Sequence, residues 1–108
     1  MSLFERRDNT VTFNLTNPDG SYLNPFDISD ADYAIFDAQC SRIIFRASLS
    51  GGSMQIVSSG ADNVLQVDIP SQYCIGGQVP NELKILKDGK WLGVTLSSGK
   101  LNFIKTRF

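Results

Sequence analysis

The sequence predicts an all-β protein: a single antiparallel β-sandwich, immunoglobulin-like or jelly-roll-like, with about seven to eight short strands. In most segments apolar and polar residues alternate with a period of two, as in strands buried on one face. Turn-forming residues recur about every ten positions, and no window shows the apolar spacing of an α-helix. The 108 residues are enough for one domain, 1–108, with residues 1–8 as a candidate N-terminal arm.

Two hairpins are predicted in the first half of the chain. Val11, Phe13 and Leu15 alternate with polar residues and predict a half-buried strand. The turn residues Asn17–Gly20 then reverse the chain, and the return strand begins at Tyr22. Strands at Tyr33–Phe36 and Arg42–Leu49 follow, and we expect them to pair antiparallel.

The second half of the chain begins with a short strand at Met54–Val57, followed by a loop over Ser58–Asn63. Leu65, Val67 and Ile69 alternate with polar residues in the next strand, which Pro70 ends. A single helical turn fits between Ser71 and Gln78, where two glycines forbid a longer helix.

The strongest hairpin signal in the chain is Asp88-Gly89, which lies between two alternating segments. This dipeptide favours a two-residue turn between antiparallel strands. It predicts that Trp91–Leu96 returns alongside the strand that holds Leu83 and Ile85. A last strand follows from Lys100 to Lys105, with Leu101 and Phe103 on one face.

Charge and histidine content exclude several functions. Ten basic and eleven acidic side chains leave a net charge of −1, which gives no reason to expect nucleic acid or anionic lipid as a partner. The chain has no histidine, so it lacks the usual general base near neutral pH and the commonest metal ligand. No apolar stretch is long enough to cross a membrane, and no signal peptide precedes the first charged residues.

No catalytic, cofactor-binding or metal-binding residue is predicted, and we expect the protein not to be an enzyme. No serine or cysteine has a plausible base partner. The two cysteines, Cys40 and Cys74, are too far apart in sequence for a zinc or redox motif and are expected to be small core residues, with a disulfide between them as the alternative. The carboxylate cluster has the wrong spacing for a calcium loop, and its members are expected to be solvated turn residues: Asp27, Asp30, Asp32 and Asp37.

Both ends of the chain carry an aromatic residue beside arginine. These residue types are the ones most enriched among the anchors of protein interfaces. The alternative is that the last aromatic residue packs into the domain's own core. The predicted protein interface consists of Phe4, Arg6, Arg7, Arg107 and Phe108.

The order of motifs resembles a known family. A charged lead at Arg6-Arg7-Asp8 runs into an alternating strand, and Asn17–Gly20 and Pro25–Ser29 precede the strand that starts at Tyr33. A Gly-rich break at 51–52 and the Asp-Gly turn at 88–89 follow. This pattern resembles the small immunoglobulin-like β-sandwich modules of tailed bacteriophage virions, including the N-terminal domains of baseplate upper proteins and capsid decoration or staple proteins.

The resemblance implies a virion structural protein, made in the host cytoplasm, with no catalytic residues. We expect a capsid decoration or staple protein that self-associates in the virion and binds phage capsid or tail structural proteins. One alternative is a tail, baseplate or fibre adaptor. Another is a carbohydrate-binding β-sandwich module with a stacking platform formed by Trp91, Tyr22, Tyr33 or Tyr73. Trp91 itself is expected in the core, which would oppose this last function.

Overall fold

The structure is a computed structural model that describes residues 3–4, 6–40, 43–74, 77–97 and 100–104. These residues form twelve strands and two 3₁₀ turns, Pro25–Ile28 and Ser71–Tyr73. None of the described helical turns is long and apolar enough to span a membrane. The strands are β1 (Leu3–Phe4), β2 (Asn9–Phe13), β3 (Leu15–Thr16), β4 (Tyr22–Leu23), β5 (Tyr33–Cys40), β6 (Ile43–Ser48), β7 (Met54–Ser59), β8 (Asp62–Ile69), β9 (Gly77–Lys87), β10 (Lys90–Leu92), β11 (Thr95–Leu96) and β12 (Lys100–Ile104).

The largest sheet has six strands in the order β1-β12-β9-β5-β6, with β10 also paired to β9. The long strand β9 pairs along one edge with β5, and along the other with β12 at its start and β10 at its end. Two three-stranded sheets, β2-β8-β7 and β11-β3-β4, complete the fold. All pairs are antiparallel except β1 and β12, which run parallel.

The core lies between the six-stranded sheet and the sheet β2-β8-β7. Phe13 of β2 packs against Phe36 of β5 with ring centroids 5.4 Å apart. Alternation along each strand supplies the other buried side chains, so a single apolar cluster joins the layers. Cys74 is a fully buried free thiol whose pKa is raised by that burial. The side chain of Cys40 lies outside the described part of the chain.

The predicted fold class is confirmed: the described chain is all-β and forms antiparallel, sandwich-like sheets. The structure has twelve strands rather than seven or eight, and four of these are only two residues long. One of the extra strands arises at Asn14, which separates β2 from β3. The backbone N–H and C=O of Asn14 bond Ser97, so the pairing of β2 with β8 does not continue into β3. One predicted strand therefore contributes to two sheets.

Two other expectations about the second half of the chain are wrong. The predicted loop over Ser58–Asn63 is a tight hairpin, because β7 and β8 continue up to Gly60-Ala61 and Gly60 takes a positive φ of 66°. The predicted strand Trp91–Leu96 is interrupted, since β10 ends at Leu92 and β11 joins β3 in another sheet. The sequence pattern does not reveal this change of sheet.

The Asp88-Gly89 hairpin forms as predicted and pairs Lys87 with Lys90. Both turn residues are left-handed, with φ of 52° at Asp88 and 75° at Gly89. We expect Gly89→Ala to lower the free energy of unfolding by about 1–2 kcal/mol, because a side chain is disfavoured in this conformation. Urea denaturation measures the change, with Lys90→Ala as the neighbouring control. Equal stabilities of Gly89→Ala and the unmodified protein would contradict the expected strain.

Candidate functional site

The outer face of the six-stranded sheet differs from the outer face of the sheet on the other side of the core. Alternation along β2 and β8 turns small polar side chains outward on the three-stranded sheet, including Thr10, Thr12 and Gln66. On β9, alternation turns Val79, Asn81, Leu83 and Ile85 inward and turns the alternate residues Glu82, Lys84 and Leu86 outward. The outward positions of the six-stranded sheet carry aromatic, aliphatic and charged side chains, and the exposed aromatic ones are candidates for contact with a partner.

A charged cluster lies at the middle of this outer face. Arg46 of β6 donates two hydrogen bonds to the Asp37 carboxylate, at 2.7 and 3.0 Å, and the Lys84 ammonium lies 3.4 Å from it. Asp37 is only 8% exposed, so the expectation that it is a solvated turn residue is wrong. The hydrogen bonds from Arg46 make the largest contribution to lowering the pKa of the Asp37 carboxyl. The positive charge of Arg46 and the hydrogen bond and charge of Lys84 lower this pKa further. This carboxylate bonds side chains of the strands on both sides of its own, which gives it a structural role.

Phe4, Arg6 and Arg7 lie together at one edge of the sheet, and we call them the N-terminal patch. Phe4 is 37% exposed, and the guanidinium carbon of Arg7 lies 5.8 Å from its ring centroid. The Asn9 side chain holds both the N–H and the C=O of Phe4. Arg6 has a positive φ of 61° and donates its backbone N–H to the Cys74 carbonyl at 2.7 Å. The end of β1 and the short connection to β2 thus present an aromatic ring and two exposed arginine side chains.

The structure therefore brings together three of the five residues of the predicted protein interface. The other two, Arg107 and Phe108, lie outside the described residues. Phe4 belongs to β1, an edge strand of the sheet, and Arg6 and Arg7 follow this strand in sequence. The Asn9 side chain already bonds the backbone N–H and C=O of Phe4, so this edge offers a neighbouring chain its side chains.

A second exposed feature lies at the other end of the same sheet face. Trp91 is 64% exposed, so the expectation of a core tryptophan is wrong. The indole meets the Tyr33 ring edge to face, with centroids 5.7 Å apart and an interplanar angle of 79°. We call Trp91 and Tyr33 the aromatic platform. Half-buried Leu86 of β9 pairs with Trp91 of β10 on one side and with Tyr33 of β5 on the other.

The sequence itself contains a signal that places the Trp91 side chain on the outer face of the sheet. A two-residue turn at Asp88-Gly89 sets Trp91 opposite Leu86. Since Ile85 faces the core, alternation turns Leu86 and its partner outward. The other tyrosines considered for stacking are engaged elsewhere: the Tyr22 hydroxyl bonds the Asn63 backbone, and Tyr73 packs on Phe45.

A recess of about 400 Å³ adjoins the aromatic platform. Tyr33 lines the recess and contacts the Trp91 indole, so the two features adjoin at Tyr33. The recess walls come from the segment before β5, from β5 itself and from the end of β6, and they carry three serines and one carboxylate. Its polar and aromatic lining consists of Ser29, Asp32, Tyr33, Ser48 and Ser50.

Three comparisons with known proteins test whether these features belong to a known group. No protein-family model, curated protein or solved structure matches this chain. Among the described residues, no group of three cysteine, aspartate or glutamate side chains is placed to hold a metal ion.

Proposed function

We propose that this chain is a structural protein of a tailed bacteriophage virion, a capsid decoration or staple protein that bridges and stabilises neighbouring subunits. The N-terminal patch is the single observation that carries the proposal. It combines an exposed phenylalanine with two arginines at the edge of the main sheet. The order of sequence motifs, which resembles virion β-sandwich modules, supplies the partner class.

The proposed mechanism consists of binding between subunits and includes no chemical reaction. The sandwich acts as a rigid support that presents the Phe4 and Arg7 side chains to a neighbouring subunit. Phenylalanine contributes apolar contact area, and arginine contributes directed hydrogen bonds to carboxylates or carbonyls. Many copies on one particle multiply a weak individual contact into stable attachment.

Cosedimentation tests the proposal. Purified protein is mixed with undecorated capsids and, separately, with tails of the phage that encodes it, and both are read by gel and electron microscopy. Saturable binding to capsids at a fixed ratio supports a decoration or staple protein. Binding to tails alone would replace it with a tail, baseplate or fibre adaptor, and binding to neither would refute the virion assignment.

The double variant Phe4→Ala/Arg7→Ala is expected to bind capsids at least about tenfold more weakly, because interface anchors of these types dominate binding energy. The matched control is Phe26→Ala, which removes a more exposed phenylalanine, at 55%, from a 3₁₀ turn outside the patch. The measurement is the protein concentration at half-saturation of capsids. Equal weakening in the control, or none in the double variant, would remove the patch from the interface.

A further inference from the structure

The aromatic platform and the recess beside it are not used by the protein contact proposed above. They lie on the outer face at the β10 end of the six-stranded sheet, whereas the N-terminal patch consists of Phe4 in the edge strand β1 and the two arginines that follow it. A tryptophan that is 64% exposed leaves a large apolar surface in water. Because Tyr33 supports the indole edge to face, the platform combines an exposed ring with a fixed neighbour.

The recess supplies hydrogen-bonding groups beside Tyr33, the ring that the Trp91 indole contacts. Asp32, Ser29 and Ser50 are exposed, and Ser48 is half-buried. The Ser29 hydroxyl donates to the Phe26 carbonyl at 2.8 Å, so its lone pairs remain available to a ligand donor. A carboxylate and several hydroxyl oxygens side by side form a set dominated by acceptors, which suits a ligand with many O–H groups.

Charge narrows the ligand class further. Asp32 carries the only charge on the described lining of the recess, so an anionic ligand would meet repulsion. The nearby Lys87 ammonium is already engaged, with the Asp30 carboxylate at 3.1 Å and the Asp27 carbonyl at 2.7 Å. The volume of about 400 Å³ lies within the range of small-ligand sites.

We propose that the aromatic platform and the recess form a binding site for a neutral saccharide. The apolar C–H face of a sugar ring stacks on the Trp91 indole, and the hydroxyls of the same or the next ring donate to Asp32 and the serines. Stacking supplies affinity because both surfaces lose water, and the acceptor set supplies orientation. The site does not depend on the virion assignment.

Trp91 is the single tryptophan of the chain, which makes it a built-in probe. Cellohexaose, maltohexaose and chitohexaose are titrated into the full-length protein, with sialyllactose as an anionic comparison. At least one neutral oligosaccharide is expected to shift Trp91 emission to shorter wavelength in a saturable way, and sialyllactose is not. A flat response to all three neutral sugars overturns the proposal.

Variants assign the binding to the site. By calorimetry, Trp91→Ala and Asp32→Ala are each expected to bind the responding sugar about tenfold or more weakly. The matched control Phe4→Ala/Arg7→Ala keeps sugar binding, and Trp91→Ala keeps capsid binding. Unchanged sugar affinity in Trp91→Ala overturns the site. A Trp91 shift seen with capsids and with no sugar also overturns it, and identifies the platform as a protein contact.

Discussion

Replacing Phe36 with alanine is expected to lower the free energy of unfolding by about 3–5 kcal/mol. Phe36 is fully buried in β5, and its ring contacts Phe13 across the two layers and Phe45 on the next strand. Removing the ring loses the transfer free energy of its carbons and leaves a cavity that rigid strands on both sides do not fill.

Urea denaturation followed by circular dichroism measures this loss. The expected loss for Phe36→Ala approaches the whole stability of a domain of this size. Phe36→Leu is therefore measured beside it and is expected to lose about 1–2 kcal/mol. Phe26→Ala serves as the exposed control and is expected to change stability by less than about 0.5 kcal/mol. A Phe36→Leu protein as stable as the control would show that Phe36 is not central to the core.

Replacing Asp37 with alanine is expected to cost about 2–3 kcal/mol at neutral pH, because hydrogen bonds between charged groups are lost. Arg46 and Lys84 would then lie near each other without the carboxylate that both contact. The matched control is Asp30→Ala, which removes an exposed ion pair with Lys87. Its effect is expected to be much smaller, because water screens such pairs.

The Asp37 contribution depends on pH in a defined direction. Its pKa is lower in the folded protein than in the unfolded chain. The stabilisation is therefore complete above the unfolded value, near 3.9, and disappears as pH falls through the lower folded value. We expect the stability difference between the unmodified protein and Asp37→Ala to be constant from pH 7 to 5 and to shrink below about pH 4. A difference that stays constant down to pH 2 would contradict the ion-pair origin.

Much of the fold follows from local sequence signals. Alternation predicted which side chains of β2, β8 and β12 face the core, and Asp88-Gly89 predicted a hairpin with the observed register. These signals work because the side-chain period of a strand and the φ values of a tight turn are local properties. The interruption between β10 and β11 is not local, since it depends on the pairing of Thr95 and Leu96 with β3.

The candidate sites also divide into residues brought together by local sequence and residues brought together by strand pairing. Phe4, Arg6 and Arg7 are neighbours in sequence, so their proximity could be predicted from the chain alone. The pairing of Trp91 with Tyr33 depends on two strand registers at once, and the ion pairs of Asp37 depend on β5 lying between β6 and β9. Residue composition predicts what such side chains can do, but only the sheet order brings them together.

The parallel pairing of β1 with β12 has a consequence for folding kinetics. Leu3 pairs with Phe103, so nearly the whole described chain lies between the two partners. Closing a loop of that length costs entropy before the contact contributes stability, which makes such pairings late and slow. During synthesis on the ribosome, β1 stays unpaired until the last strand emerges. β1 therefore joins the main sheet only after β12 is made, whereas the contacts of Phe4 with Asn9 and Arg7 join residues at most five positions apart.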